Sequence, residues 1–564
     1  MQIEVIMFDK NLEYLSNEDL KARLKSMSLE ETRWDISYCM TTSNDYLLMK
    51  NDVPLDDMND PRKAVQDMLK DSIKRTMEPK DIIITFGIGL CYQLDEVFHA
   101  YPSRIFVYEP DTKLLHFVLN NVDISEHLQS GRVFIFDNID DLISKLSEIY
   151  ITKDKVEVVY LKNYAIVKSQ ELLELSQRVY ETCKSKTVDI NTITRYSKFW
   201  LQNTLNNIQA INEGEICKLS DLDGKFEEET ALVVGAGPSL AENIRFIKDN
   251  REKFVIFAVN KALKPLLDRE IVPDFVVCID AKNVLKTLTV SDEELEKINC
   301  IMNLNSDSEI LTKKFKKVFI SFPESDAVVK KISDYNPSLK TQEAGGSATT
   351  TAFVSAVKMG FSKVVMTGVD LAFKGETVYS TGEIFEKVAA DKIKINSIEK
   401  HISAVPSVTG VDVLTTDDYA AFVQHFATLI KDLDYKNAYN TTSFGALIPG
   451  MKNAKMDTIN LRTVSNSTSI KVGEVKPFKI QTEKWTQEEL ALINKVIELL
   501  SKNTFSPALI SAIVKSSLMY LYMQAQVLQA MQSKMDDSLA EDFIAKTKEG
   551  IKEIVDQLQR TKLI

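Results

Sequence analysis

The sequence predicts an α/β protein: a central, doubly wound, mostly parallel sheet, a smaller α/β domain before it and a helical bundle after it. Three observations carry this. Between residues 231 and 367, short apolar runs alternate with helix-like patterns, the rhythm of a parallel sheet with helical crossovers. A shorter series of the same kind occupies residues 81–161. From 451 to 549, Gly473 is the single glycine, and long segments carry helical periodicity.

The bulk properties bound what such a chain does. At 564 residues it is too long for one core, and two to four domains are expected. A hydrophobic content of 44% and a charged content of 27% are those of a soluble globular protein. The net charge of −12 argues against nucleic acid as a partner, since phosphate neutralisation needs clustered Lys and Arg. The six cysteines, Cys39, Cys91, Cys183, Cys217, Cys278 and Cys300, show no metal-like spacing. They read as reduced, buried thiols of a cytosolic protein. The N-terminal residues lack a basic region followed by a long apolar run, so a signal peptide is not expected. The most apolar late stretch, 508–523, is broken by Ser511, Lys515, Ser516 and Ser517, and insertion into a membrane is not expected.

Taken in order, residues 1–60 have mixed patterning and suggest no chemistry. Pro61 to Met77 reads as a helix with proline at its first position. Strands follow at Asp81–Phe86, Arg104–Tyr108, Arg132–Phe136 and Lys155–Leu161, making an N-terminal α/β domain over 1–165. Gly87-Ile-Gly89 turns after its first strand, and Glu109 ends its second. A glycine turn with an acid about twenty residues later is similar to the nucleoside-binding edge of methyltransferase-like folds. A scaffolding domain is the simpler reading, because nothing nearby supplies a further reactive group.

Residues 166–228 read as a helical connector, with Trp200, Leu201, Leu205, Ile208 and Ile211 at roughly helical spacing. The central domain spans 229–480. Its strands are expected at Ala231–Val234, Phe254–Val259, Phe275–Ile279, Ile301–Asn305, Lys317–Ile320 and Lys363–Thr367. A C-terminal helical domain covers 481–564. In it, Thr486-Gln-Glu-Glu489 reads as a capping box, and two further helices follow Ser506-Pro507.

Ala231-Leu-Val-Val-Gly235-Ala-Gly237-Pro238-Ser239-Leu240 is the most informative segment. A buried strand runs into a glycine turn and then a helix, which should point free backbone N–H groups at a phosphate. It departs from the dinucleotide fingerprint: the third glycine is Leu240, and the residue ending the next strand is Asn260, where a carboxylate would hold an NAD ribose. The turn, Asn260, Asp280 and Asp370 all end strands, so they should meet on one edge. Capping explains any one of them, but four on one edge point to a site.

A second anion-friendly segment is Glu343-Ala-Gly345-Gly346-Ser347-Ala-Thr349-Thr-Thr351. Its glycines allow close approach, and its hydroxyls and N–H groups open a helix. No metal site is expected. His99, His116, His127, His401 and His425 share no ligand spacing. His425 reads as a packed residue on an apolar helix. Asp417-Asp418 reads as the charge pair at that helix's start.

These motifs resemble one family together. Gly235-Ala-Gly-Pro-Ser-Leu240, Ile271-Val-Pro-Asp274 leading to Asp280, Gly345-Gly-Ser-Ala-Thr-Thr-Thr351, Gly368-Val-Asp-Leu-Ala-Phe373, Val413-Leu-Thr-Thr416 and Asn440-Thr-Thr-Ser-Phe-Gly-Ala-Leu-Ile-Pro-Gly450 stand in the order seen in motility accessory factor (Maf) proteins, bacterial flagellin glycosyltransferases. The N-terminal glycine unit and the helical C-terminus also look like the Maf layout. The central segment is similar to bacterial sialyltransferases that use CMP-sialic acid, and Gly-x-Gly-Pro-Ser is shared with archaeal pterin pyrophosphokinase-like proteins.

The resemblance implies a Rossmann-like, sialyltransferase-like central domain. It implies transfer of a nonulosonic acid, of pseudaminic or legionaminic type or a related keto-sugar acid, from its CMP form to Ser or Thr of flagellin in the cytoplasm, in support of flagellar assembly and motility. Gly235, Gly237, Pro238, Ser239 and Asn260 would hold CMP. Gly345, Gly346, Ser347 and Thr349 would hold the donor phosphate or carboxylate, and Asp370, counted with the catalytic residues, the ribose or cytosine side. Relatives carry a histidine in a Lys-Thr-His stretch after the Gly-x-Asp-Leu-Ala-Phe segment. Here that stretch reads Lys374-Gly-Glu-Thr-Val-Tyr379, so Tyr379 would instead bind the CMP phosphate, and Asp280 or His401 would serve as base. No metal or other cofactor is required with a CMP leaving group. Two alternatives remain: a 6-hydroxymethylpterin pyrophosphokinase-like enzyme and a non-catalytic flagellin-binding or chaperone-like protein. The choice of sugar, the acceptor residues and any homo-oligomer stay open.

Overall fold

The computed structural model describes residues 2–28, 36–150, 154–214, 216–343, 346–373, 377–379, 386–387, 402–462, 471–502, 504–532 and 537–564. The chain divides into two compact units, Met1–Thr192 with Gln529–Lys534, and Ile193–Leu528 with Met535–Ile564.

The first unit opens with two helices, Gln2–Glu13 and Glu18–Lys25, and an antiparallel meander of β1 (Ile36–Met40), β2 (Tyr46–Lys50) and β3 (Val53–Pro54). The expected helix after Pro61 is present over Pro61–Ser72, with Asp60 as its N-cap. A four-stranded parallel sheet follows: β4 (Ile82–Phe86), β5 (Arg104–Tyr108), β6 (Val133–Phe136) and β7 (Val156–Tyr160), in the order β6-β5-β4-β7. Its inner strands β4 and β5 are near-continuous apolar runs, buried along nearly all their length. The helix Ser169–Glu213 begins in this unit and continues into the second as one element of 45 residues.

The second unit is built on nine parallel strands. They are β8 (Ile216–Lys218), β9 (Thr230–Val234), β10 (Val255–Val259), β11 (Phe275–Val277), β12 (Asn299–Asn303), β13 (Lys317–Ser321), β14 (Lys363–Thr367), β19 (Ala438–Asn440) and β20 (Lys452–Asn453). Between β14 and β19 lie two short antiparallel pairs, β15 (Thr377–Tyr379) with β16 (Glu386–Lys387) and β17 (Ile402–Val405) with β18 (Val413–Thr416). The sheet order is β20-β19-β14-β9-β10-β11-β12-β13-β8. After the edge strand β8, which pairs with β13, the chain enters the sheet's middle at β9, winds outward to β13, and returns to the other side of β9 with β14. The reversal between β9 and β14 is the topological switch point, where open α/β sheets bind ligands.

Side chains alternate between two apolar layers. Val233, Phe257, Phe275 and Phe319 share one with Phe353 of the helix Ala348–Lys358. Leu232, Val234, Ile256 and Ala258 share the other with Leu240 and Ile247 of the helix Leu240–Asp249. Phe257 and Phe275 stack at 4.8 Å, so truncating either to alanine would cost about 3–5 kcal/mol.

The late helices are Glu483–Leu500, Pro507–Lys515, Ser517–Gln532 and Asp537–Arg560. Three rather than two thus follow Ser506. The expected capping box at Thr486 is absent. The first helix begins earlier, at Glu483, and the Thr486 hydroxyl donates back to Thr482 O at 3.1 Å. Glu489 instead serves the start of the helix Ser517–Gln532. Its buried carboxylate accepts from Ser517 N at 2.9 Å and Ser517 Oγ at 2.6 Å. A carboxylate satisfies the unpaired N–H groups there and opposes the positive end of the helix dipole.

Candidate active site at the carboxyl edge of the central sheet

All nine strands run the same way, so their carboxyl ends share one edge. There the Gly235–Ser239 turn is bound to the neighbouring loop rather than open. Gly235 N donates to Thr367 O and Gly237 N to Gly368 O, both at 2.8 Å, and Leu240 N donates to Gly237 O at 3.1 Å. Ser239 N donates to Asp370 Oδ2 at 2.9 Å. The Ser239 hydroxyl, fully buried, accepts from Gly368 N at 3.2 Å. The expectation of a turn with free N–H groups is corrected: Gly235, Gly237 and Ser239 spend them inside the protein. The glycines are needed for contact between loops. A Cβ on Gly235 would collide with Gly368 O, one on Gly368 with Gly235 O, and one on Gly237 with the Asp370 carboxylate.

Asp370 is 3% exposed. It accepts from Ser239 N and from Thr442 Oγ1, while its backbone O accepts from Ala446 N at 2.8 Å. It thereby ties together the loops after β9, β14 and β19. Burial pushes its pKa above the usual carboxylate value, against the hydrogen bonds from Ser239 and Thr442. This placement gives Asp370 a structural duty at the switch point.

One and two strands further along, the edge opens. Asn260, 5% exposed, begins the helix after β10. Its Nδ2 donates to Asp280 Oδ2 at 3.1 Å and to Thr287 Oγ1 at 2.8 Å. Asp280 lies beyond the end of β11, which is two residues shorter than expected, and is exposed. Its backbone O accepts from Asp307 N at 2.9 Å. Asn260 and Asp280 are thus brought together as expected of neighbouring strand ends, with Asn260 orienting the carboxylate.

The helix Ala348–Lys358 precedes β14, so its N-terminus lies on the same edge. Ser347 caps it: Thr350 N donates to Ser347 Oγ at 3.1 Å, and Ser347 N donates to Thr350 Oγ1 at 3.0 Å. Ser347 Oγ also lies 3.0 Å from Thr349 Oγ1. The first N–H groups, at Ala348 and Thr349, have no intrahelical acceptor, and the dipole is positive there. Gly346 has φ +69° with open space around a Cβ, so its conformation, and not close approach, calls for glycine. Gly345 and His401 lie outside the described residues. Tyr379 is placed by its backbone alone, at the end of β15. Among the described residues, no group of three or more His, Cys, Asp or Glu side chains is placed to hold a metal ion.

Sequence reasoning missed the residues that fix the Asp280 loop and the neighbouring loop after β12 from outside the sheet. Asn203 Nδ2, on the helix Ser169–Glu213, donates to Ala281 O at 2.8 Å and Asn305 O at 3.2 Å. Asn207 Nδ2 donates to Leu304 O and Ser306 O, both at 2.8 Å. Two buried asparagines four apart on an apolar helix face were the available signal, since such amides need partners.

The first unit repeats the glycine turn with a different outcome. Its order also reverses, between β4 and β7. Glu109, fully buried, accepts from Ile88 N at 3.0 Å, Asp111 N at 2.9 Å and Tyr164 OH. A Cβ on Gly87 would meet the Tyr164 ring at 2.5 Å. One on Gly89 would meet Leu161 Cδ1 at 3.0 Å. The nucleoside-edge likeness gives way to a crevice filled by the protein's own side chains.

Comparison with known proteins extends these observations. The model of a family described as 6-hydroxymethylpterin diphosphokinase MptE-like matches residues 202–376. A Treponema pallidum (strain Nichols) protein, described as uncharacterized, is 27% identical over 115 residues, 20% of this chain and 51% of its own length. The chain therefore spans about half the length of that relative. The solved structure of the MAf glycosyltransferase from Magnetospirillum magneticum AMB-1 superposes with a TM-score of 0.66 at 17% identity, covering 99% of this chain and 95% of that one. Along almost its whole length, then, this chain has the fold of a Maf glycosyltransferase.

Proposed function

We propose that this protein is a glycosyltransferase that moves a nonulosonic acid from its CMP form to Ser or Thr hydroxyls of flagellin, in the cytoplasm. The observation that carries this reading is the likeness to the MAf glycosyltransferase over 99% of the chain. An exposed, oriented carboxylate and a helix N-terminus on one sheet edge support it.

The reaction is a single displacement with inversion. The acceptor oxygen forms a bond to the anomeric carbon as the bond from that carbon to the phosphate oxygen breaks. The electron pair leaves with CMP, and the acceptor hydroxyl proton passes to the base. Asp280 serves as that base, a role that asks for a positioned carboxylate within reach of the hydroxyl. The start of the helix Ala348–Lys358 receives the departing phosphate charge through its N–H groups. Ser239 and Asp370 act indirectly, by holding the turn.

The match to the MptE-like family favours a second reading, transfer of pyrophosphate to a hydroxymethylpterin. That chemistry needs carboxylates gathered around Mg²⁺. Of the two candidate acids Asp280 is exposed and Asp370 is buried behind the turn, so this reading ranks second. The test is incubation of the purified chain with flagellin and CMP-activated pseudaminic or legionaminic acid. A flagellin mass raised by one sugar residue, with CMP released, is expected. An unchanged mass, with consumption of ATP in the presence of hydroxymethylpterin and Mg²⁺, would replace it with the second reading.

A further inference from the structure

We infer that Lys282, held against Tyr196 and Phe199, forms an anion subsite beside Asp280 that takes the carboxylate of the donor sugar acid; this rests on the transferase reading above. The Lys282 ammonium lies 4.7 Å from the centre of the Phe199 ring and 5.3 Å from that of Tyr196. Tyr196 in turn stacks on Trp200 at 6.1 Å. The aromatic faces hold the cation without neutralising it. Among the described residues no carboxylate lies within ion-pair distance of Lys282, and the side chain is half-buried. A half-buried charge in this state attracts an incoming anion more strongly than a fully solvated one.

The position is held from two sides. Asn203 donates to Ala281 O between Asp280 and Lys282, and Asn260 holds the Asp280 carboxylate at 3.1 Å. The chemistry of the donor gives this cation its purpose. A sugar acid carries its carboxylate on the carbon that is attacked, so a carboxylate base must approach a carboxylate substrate. Like charges at such range repel. A cation two residues from the base offsets that repulsion and favours acidic over neutral sugars. The aromatic rings add an apolar wall beside the charge.

Titration calorimetry on the full chain tests this, with CMP alone and with CMP-activated pseudaminic and legionaminic acids. For the unaltered protein, at least one donor should bind about tenfold or more tightly than CMP, as a charge-assisted contact allows. Lys282→Met should leave CMP affinity unchanged and remove the gain. Lys282→Arg should restore most of it. Lys282→Gln, which keeps a polar end, should behave as Lys282→Met and guards against a folding defect in either. A Lys282→Met protein that keeps the full gain overturns the subsite and leaves the transferase reading standing. An unaltered protein that binds neither CMP nor donor overturns both.

Discussion

Each unit has a glycine turn at the point where its strand order reverses, and each turn is backed by a buried carboxylate. In the first unit Gly87 and Gly89 sit against Tyr164 and Leu161, and Glu109 takes the Ile88 N–H from the turn and the Asp111 N–H from its own loop. In the second, Gly235 and Gly237 sit against the backbone of Gly368 and the carboxylate of Asp370. Side chains fill the first crevice, whereas the backbone of Gly368 together with the Asp370 carboxylate fills the second. The difference lies next to the turn. The second sheet continues outward to Asn260 and exposed Asp280, whereas Glu109 ends the neighbouring strand of the first with no exposure at all. A glycine turn at a switch point therefore marks where loops must interlock, and a site needs a further polar group left open beside it.

The comparison can be broken by experiment. The largest effect is expected from Gly235→Ala. Its Cβ meets a backbone oxygen that cannot swing aside, so a stability loss at the upper end of overpacking, about 3 kcal/mol or more, is expected in urea denaturation. Gly87→Ala meets a ring but also takes φ to +87° in a residue with a side chain, and about 2–3 kcal/mol is expected. A larger loss for Gly87→Ala would reverse the contrast between the two turns.

Next in size is the contrast between Asp280 and Asp370 that the transferase reading expects. Asp280→Asn should lower kcat for transfer by about 10²–10⁴-fold with little change in melting temperature. Asp370→Asn should lower the melting temperature first, because the carboxylate joins three loops. Equal stability losses in both variants would sink the division of roles.

The pH dependence is a smaller and more selective probe. Burial raises the Glu109 pKa from 4.5 to about 7, against the hydrogen bonds from Tyr164 and Ile88. The folded state thus holds a proton that the unfolded chain releases between about pH 4.5 and 7. Stability of the first unit should therefore be greatest below that window and fall as pH rises through it, by up to about 3 kcal/mol. Amide exchange at β4, compared at pH 5 and pH 7, reports this, and Glu109→Gln should flatten the slope. The smallest effect is expected for Ser347→Ala, about 1 kcal/mol for a lost N-cap, read as a modest drop in melting temperature.

Much of this architecture was legible. Parallel strands buried on both faces give apolar runs that need no partner to be recognised, so the six expected central strands lie within two residues of those found, and Asn260 and Asp280 meet as strand-end residues should. The short strands β8, β19 and β20, at or next to the edges of the sheet, were missed, since two or three residues carry no period. The fate of the glycine turn was also hidden. Whether its N–H groups face a ligand or Gly368 depends on a loop 130 residues away, and local pattern does not report that partner. Thr486-Gln-Glu-Glu489 failed for the opposite reason: a local motif was outcompeted when Glu489 found the start of another helix.

The two asparagines on the long helix bear on how the molecule can be dissected. A fragment starting at residue 229 would contain every motif of the central domain, yet the carbonyls of Ala281, Leu304, Asn305 and Ser306 would lose the amides that Asn203 and Asn207 supply. It would also lose β8, leaving the edge of β13 bare. The compact unit that holds Asp280 together with these amides begins inside a helix, at Ile193, a position no motif marks.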